Sequence, residues 1–368
     1  MKKKINRVIL SGGGTGGHIF PALAIANEIK RRDPDAEILF VGALGRMEME
    51  KIPAAGYKII GLPVMGFPRK PSLQLFTFVK RLLQSSAKAR KIVKDFKPQL
   101  AIGVGGFASG PLLRAAAKYK VPTLIQEQNS YAGITNKLLS KKVKAICVAY
   151  DNMERFFPKE KIVFTGNPVR GNLMQTSISA NQAQESFSIR PGSKVVLIVG
   201  GSLGAKSINE AVLHNVKKIA ASGVQIIWQT GAIYYDRMVE TLKDSKPENL
   251  HILKFITQMD VAYAAADLVI SRAGAGTISE LCLVGKAAIL VPSPNVAEDH
   301  QTKNALALVD KNAALLVKDS NMVEELFPLA FEVVADEKRC STLAEKIKTL
   351  AKPNATKAIV DEAERLLN

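Results

Sequence analysis

Three glycine-rich runs each follow a short apolar segment and lead into a helix-like one. They are Ser11-Gly12-Gly13-Gly14-Thr15-Gly16-Gly17-His18, Gly103-Val104-Gly105-Gly106-Phe107-Ala108-Ser109-Gly110 and Gly200-Gly201-Ser202-Leu203-Gly204-Ala205. Glycine lets backbone N–H groups approach an anion closely, and a helix amino end adds partial positive charge. Plain strand–helix turns explain one such loop easily and three poorly, so at least two phosphate-bearing ligands are expected. His18 stands at the mouth of the first loop, where an imidazole can move a proton near neutral pH. Its plainer reading is a helix-end residue.

The second half adds Ser271-Arg272-Ala273-Gly274-Ala275-Gly276-Thr277-Ile278-Ser279-Glu280. The Glu280 carboxylate could accept from both hydroxyls of a ribose, or could be a first-turn acid favoured by the helix dipole. Gln301 and Asn304 carry amides, which offer donor and acceptor together and suit neutral sugar hydroxyls. The first loop also satisfies GxGxxG through Gly12, Gly14 and Gly17, so an NADP-dependent oxidoreductase is the alternative reading. Against it, the second strand ends in Gly42-Ala43 rather than an acid, although Arg46 nearby could suit NADP.

These loops need a scaffold that delivers them to one edge. Short β-branched runs alternate with amphipathic stretches of helix length, the pattern of parallel sheets with crossover helices. The spacing predicts strands at 7–10, 37–41, 58–62, 100–104, 123–126, 145–149 and 162–165, then at 194–199, 224–229, 251–255, 268–271, 288–291 and 314–317. The chain therefore reads as α/β, two Rossmann-like doubly wound domains joined end to end, and 368 residues suffice for two cores. The alternation pauses at Gly166-Asn167-Pro168-Val169-Arg170, giving an N-terminal domain over 1–166 and a C-terminal one over 167–352. A final helix over 353–368 is expected to pack back on the first domain.

A net charge of +18 calls for an anionic partner: nucleic acid, a lipid surface or phosphorylated substrates. No RNP, KH or zinc-finger pattern supports nucleic acid. Cys147, Cys282 and Cys340 are far apart and free of CxxC spacing, so neither a disulfide framework nor a zinc site is indicated and a reducing cytoplasm fits. No apolar run reaches the about 20 residues of a spanning helix, and Val8-Ile9-Leu10 is too short for a signal peptide core. Asp33-Pro34-Asp35 is a literal DxD, but it reads as a polar turn between the first helix and second strand, so neither metal nor cofactor is assigned.

Residues 67–97 hold nine basic side chains against the single acid Asp95, more than a solvated crossover helix requires. On a helical projection Leu75, Val79, Leu82, Ala89 and Val93 form one apolar stripe, widened by Phe76, Phe78 and Leu83, with Lys80, Arg81, Lys88 and Lys91 opposite. Part of the stripe must pack on the sheet. Leu75, Phe76, Phe78, Lys80 and Arg81 are the candidates for docking on an anionic membrane surface.

Seven segments in order resemble the bacterial cell-wall N-acetylglucosaminyltransferases of the MurG family: 12–18, 103–110, Glu127-Gln128-Asn129 with Ala132-Gly133, 166–170, 200–205, 271–280 and 300–305. The resemblance covers essentially the whole chain. It implies the GT-B architecture, two Rossmann-like domains facing across a cleft. It implies inverting transfer of N-acetylglucosamine from UDP-N-acetylglucosamine to the undecaprenyl-diphosphate-linked muramyl-pentapeptide (lipid I), giving lipid II for peptidoglycan at the cytoplasmic face of the plasma membrane.

By the same resemblance Glu280 would bind the ribose, the backbone at Ile256 the uracil, Ser202 with Ala275, Gly276 and Thr277 the diphosphate, and Gln301 and Asn304 the sugar. Thr15, Gly16, Gly17, Asn129 and Arg170 would complete the donor site. Gly14, Gly105, Gly106 and Ser109 are expected at the acceptor diphosphate. Relatives often carry a larger residue where Gly276 stands. His18 is the candidate base toward the acceptor hydroxyl, and the competing assignment gives it an orienting role only. Helix ends and loop amides are expected to stabilise the leaving UDP.

Overall fold

The computed structural model describes residues 4–66, 74–169, 173, 178–201 and 203–368. Contacts divide the chain into two units, Met1–Arg170 with Lys352–Asn368, and Gly171–Ala351.

The first unit is built on seven parallel strands: β1 (Arg7–Ser11), β2 (Glu37–Ala43), β3 (Lys58–Leu62), β4 (Leu100–Gly103), β5 (Thr123–Glu127), β6 (Ala145–Val148) and β7 (Ile162–Phe164). Their order is β3-β2-β1-β4-β5-β6-β7. Helices cover both faces, so strand residues such as Val8, Ile9 and Leu10 are all buried, which is why these strands read as unbroken apolar runs. The order reverses between β1 and β4, where Ser11 pairs in register with Gly103. Two glycine loops thus leave adjacent strands at the same level, at a topological switch point.

The second unit repeats the plan with β8 (Val195–Val199), β9 (Gln225–Gln229), β10 (Leu250–Leu253), β11 (Leu268–Ser271), β12 (Ala287–Leu290) and β13 (Leu315–Leu316), ordered β10-β9-β8-β11-β12-β13. Its switch lies between β8 and β11, where Val199 faces Ser271. The third glycine loop and the 271–280 segment leave there. All thirteen strands fall within about two residues of the predicted spans, and both units are Rossmann-like.

The helix Gly16–Arg32 buries Ile19, Ala22, Ile25, Ala26 and Ile29 along one face. Pro21 is its sixth residue. The last helix, Ala355–Arg365, sets Ile359, Val360 and Ala363 into the same core as Ile19, Ala22 and Ile25. Burying Ile359 and Val360 stabilises that docking by roughly 1.5 to 3 kcal/mol each. Arg32 adds ion pairs to Asp361 at 2.8 Å and Glu364 at 3.0 Å, and is itself held by Glu28 at 2.8 Å.

Candidate functional site

In the first unit His18 is the third residue of the helix Gly16–Arg32, half-buried, with Nδ1 3.0 Å from the Gly13 carbonyl oxygen. A carbonyl can only accept, so the ring carries its proton on Nδ1 when neutral and the lone pair lies on Nε2. Nε2 faces the second glycine loop: a Cβ built on Gly105 would come within 2.7 Å of it. A Cβ on Gly106 would come within 2.6 Å of the Gly13 oxygen. Gly105 and Gly106 both have positive φ, so the two loops meet backbone to backbone because neither carries a side chain there.

Two of the candidates for the acceptor diphosphate are already committed. The Gly14 N–H donates to Glu48 Oε2 at 2.8 Å. The Ser109 hydroxyl is fully buried, 2.7 Å from the Gly105 oxygen and 3.0 Å from the Ser11 oxygen. Ser109 thus braces the loop by its side chain, and the Gly14 N–H is tied to Glu48. At the amino end of the helix Gly16–Arg32 the N–H groups around Gly16 and Gly17 have no intrahelical partner, as at any helix start. Thr15 is the N-cap, with extended backbone and no cap hydrogen bond from its side chain.

Asn129 lies in a loop gathered around Glu127, which is 2% exposed. Glu127 Oε1 accepts from the Asn129 N–H at 3.1 Å and from Nδ2 at 3.3 Å. Its other oxygen accepts from the Gly133 N–H at 3.0 Å and Asn136 Nδ2 at 2.8 Å. Gln126 Nε2 donates to Asn167 Oδ1 at 2.9 Å, Asn167 Nδ2 to the Gln128 carbonyl at 3.0 Å and Gln128 Nε2 to the Val104 carbonyl at 2.9 Å, so the Asn129 loop adjoins a buried polar network.

In the second unit Glu280 is buried and its Oε2 accepts from the Tyr263 hydroxyl at 3.2 Å. It is the sixth residue of the helix Ala275–Val284, beyond the first turn where the dipole acts, so the first-turn reading does not hold. Ala275, Gly276 and Thr277 form the opening of that helix, and a Cβ on Gly276 would meet nothing within 4 Å. A larger side chain there would fit, in line with the variation expected at this position.

The buried Ile256 N–H is taken by Gln229 Oε1 at 2.8 Å, while Gln229 Nε2 donates to the Gly201 oxygen at 3.0 Å. One buried amide thus joins the expected uracil end to the third glycine loop. Arg272 gathers the neighbouring loops: Nη1 donates to Val291 O at 3.1 Å and pairs with Asp319 at 2.5 Å, and Nη2 reaches Ser207 Oγ at 2.6 Å. Gln301 and Asn304 sit on the helix His300–Val309. Gln301 Oε1 accepts from the Ser293 N–H at 2.9 Å, and Asn304 is fully buried with Nδ2 3.4 Å from Ala273 O. Just before that helix Glu298 and Asp299 both adopt left-handed backbone, a conformation that costs a non-glycine residue roughly 1 to 2 kcal/mol.

Arg170 and Ser202, and Arg69 and Lys70 of the basic segment, lie outside the described residues. Asp33-Pro34-Asp35 forms a turn, in which the Asp35 N–H donates to Asp33 Oδ1 at 3.1 Å. Desolvation pushes the Cys282 thiol up to about 12 and raises Cys147 further, so neither is a nucleophile at neutral pH.

The helix Gln74–Phe96 divides along its length. Ala89, Ile92 and Val93 are buried, whereas Leu75, Phe76, Val79, Leu82 and Leu83 are exposed, Phe76 to 77% and Leu83 to 65%. Phe78 is half-buried, and Lys80 and Arg81 are exposed. Further along the same helix Arg90 joins Arg114, Lys118 and Lys142 around a concavity of about 580 Å³ that has no acid in its lining. No helix of the described residues is long and apolar enough to cross a membrane.

Sequence reasoning missed Glu48 and Gln229, and assigned no role to Glu127 or Arg272. Glu127 and Arg272 stand inside motifs that the sequence marks. Glu48 and Gln229 do not: Glu48 reaches Gly14, 34 residues away, and Gln229 reaches Gly201 and Ile256, 28 and 27 residues away.

Two Rossmann-like units, with anion-suited loops at both switch points and a buried acid on the helix Ala275–Val284, define a nucleotide-sugar glycosyltransferase of the GT-B class. Residues 8–148 match the model of the glycosyltransferase family 28 N-terminal domain, and residues 195–361 match that of the glycosyltransferase family 28 C-terminal domain. The chain belongs to glycosyltransferase family 28. It is 56% identical over 98% of both chains to the UDP-N-acetylglucosamine--N-acetylmuramyl-(pentapeptide) pyrophosphoryl-undecaprenol N-acetylglucosamine transferase of Parabacteroides distasonis. It is 55% identical to the enzyme of the same name from Bacteroides thetaiotaomicron, over 100% of this chain and 99% of that one. The crystal structure of Acinetobacter baumannii MurG superposes with a TM-score of 0.78 at 31% identity, covering 98% of this chain and 99% of the other. These findings overturn the oxidoreductase alternative.

Proposed function

We infer that this chain transfers N-acetylglucosamine from UDP-N-acetylglucosamine to the undecaprenyl-diphosphate-linked muramyl-pentapeptide, lipid I, and so makes lipid II for peptidoglycan. The observation that carries this is near full-length identity above 50% to relatives that bear that activity in their names. Going from an α-linked nucleotide sugar to a β-linked product is one inverting displacement. The acceptor oxygen bonds to the anomeric carbon, the bond to UDP breaks, and UDP leaves with the electron pair. His18 Nε2 takes the hydroxyl proton. Glu280 holds the ribose, the Ile256 backbone the uracil, Gln301 and Asn304 the sugar, and Thr277 with the helix amino end the diphosphate. Asn129, Thr15, Gly16 and Gly17 complete the donor site, and Gly14, Gly105, Gly106 and Ser109 are assigned to the acceptor diphosphate.

The 1–166 region is read as the acceptor and membrane domain, and 167–352 as the donor domain. The reading places the enzyme as a peripheral protein on the cytoplasmic face of the plasma membrane, with no nucleic-acid partner. Support comes from the exposed apolar half of Gln74–Phe96 beside a basic concavity, a surface that suits anionic lipid. The test is to incubate the protein with UDP-N-acetylglucosamine and lipid I. Release of UDP with gain of one N-acetylglucosamine on the lipid is expected. No transfer, with a melting temperature raised by NADPH but not by UDP-N-acetylglucosamine, would overturn the reading. Vesicle sedimentation tests the surface: anionic vesicles should retain the protein and neutral ones should not.

A further inference from the structure

Glu48 opens the short helix Glu48–Ala54 and is completely buried. Burying a carboxyl group is unfavourable unless its oxygens are hydrogen-bonded, and here each oxygen takes a backbone N–H from a different element. Oε1 accepts from Ala43 at the end of β2 at 2.9 Å, and Oε2 from Gly14 in the first glycine loop at 2.8 Å. The fit is close on both sides. A Cβ on Gly13 would fall on Glu48 Oε1, and one on Gly42 would come within 2.6 Å of Glu48 Cγ. The adjoining Gly13 carbonyl is the acceptor for His18 Nδ1 at 3.0 Å.

We propose that Glu48 is a positioning residue for the transfer: by holding the Gly13–Gly14 backbone it places the carbonyl that fixes the tautomer and orientation of His18. Glu48 touches no substrate in this scheme. It acts on the reaction through the loop, and a ring displaced by about 1 Å loses rate steeply. The proposal rests on the reading of His18 as base. Replacing the carboxyl by an amide sets an N–H₂ against one of the two backbone N–H groups, so one element must be released.

The test compares Glu48→Gln, Gly42→Ala, His18→Ala and Glu48→Gln/His18→Ala, measuring lipid I turnover against pH and UDP affinity. Glu48→Gln should lower kcat by roughly tenfold to a hundredfold and leave UDP affinity within about twofold. The acid limb of its pH profile should change, because the Nδ1–H contact to the Gly13 carbonyl that orients the ring is weakened. Gly42→Ala, which crowds Glu48 from β2 and leaves the loop sequence intact, should reproduce the loss even if the first variant folds poorly. In the His18→Ala background Glu48→Gln should add less than about twofold, since coupled residues do not add. Wild-type kcat with an unmoved acid limb in folded Glu48→Gln overturns the proposal. So does an undiminished effect of Glu48→Gln in the double variant. Wild-type turnover in His18→Ala alone identifies a failure of the base reading instead, and the role of Glu48 falls with it.

Discussion

The Tyr263 hydroxyl donates to Glu280 Oε2 across 3.2 Å, tying the helix Met259–Ala265 to the helix Ala275–Val284. The bond fixes one carboxylate oxygen and so aims the group. Glu280→Ala should weaken UDP-N-acetylglucosamine binding by roughly 1.5 to 3 kcal/mol, as for a hydrogen bond to a charged group, and Tyr263→Phe by about 0.5 to 1.5 kcal/mol. Titration calorimetry reads both. Unchanged donor affinity in folded Glu280→Ala would remove it from the site.

Arg272 bridges three segments with one planar fork: the end of β11, Ser207 at the start of the helix Lys206–His214, and the carbonyl of Val291. A lysine keeps the charge but cannot reproduce that geometry. Arg272→Lys should weaken donor binding by about tenfold, equivalent to about 1.4 kcal/mol. A donor dissociation constant within twofold of wild type would show that the clamp has no bearing on the nucleotide.

Leaving-group stabilisation is assigned to helix amino ends and loop amides, whose dipoles are fixed before reaction. Transfer should therefore persist in excess EDTA. Complete loss that magnesium or manganese alone restores would refute the assignment.

The docking of Ala355–Arg365 should depend on acid. Glu28 is held below the ordinary carboxylate value first by its hydrogen bond from Arg31, then, against burial, by Arg32. Asp361 is also lowered: burial opposes it, but hydrogen bonds from Lys357 and Arg32 prevail. A carboxyl group lowered on folding contributes stability above its unfolded value and loses it as pH falls through the folded one. The melting temperature should fall below about pH 4.5, the ordinary glutamate value. Arg32→Ala should cost roughly 1 to 2 kcal/mol at neutral pH and flatten that acid dependence. Thermal melts across the range decide it, and parallel curves for the two proteins would sink the idea.

Strands were legible because buried parallel strands read as continuous β-branched runs, and helices because apolar residues recur at helical spacing. Glycine loops were legible as well, since close backbone approach leaves only one residue type. The sequence does not disclose which groups a loop turns inward. Ser109 directs its hydroxyl at the Gly105 and Ser11 carbonyls, and the N–H of Gly14 is claimed by Glu48, 34 residues away. Glu48 looks from sequence like any first-turn acid of a short helix. Gln229 looks like the last residue of a strand, and only the fold brings Ile256 and Gly201 to its two amide atoms.

His18→Ala should greatly reduce turnover while leaving UDP affinity nearly intact, because the proposed partner of the imidazole is the acceptor hydroxyl and the nucleotide is assigned to the second unit. Removing a general base commonly costs a factor of roughly 100 to 10,000. The hydrogen bond from Nδ1 to the Gly13 carbonyl supplies the geometry, since it leaves the lone pair on Nε2. Protonation of Nε2 abolishes the base, so wild-type activity should fall on acidification and the mutant should lack that limb. An orienting role predicts a different pattern: a raised donor KM with the acid limb retained. Near-normal turnover on lipid I, or the same limb in the mutant, would place the base elsewhere and return His18 to the plain role of a helix-end residue.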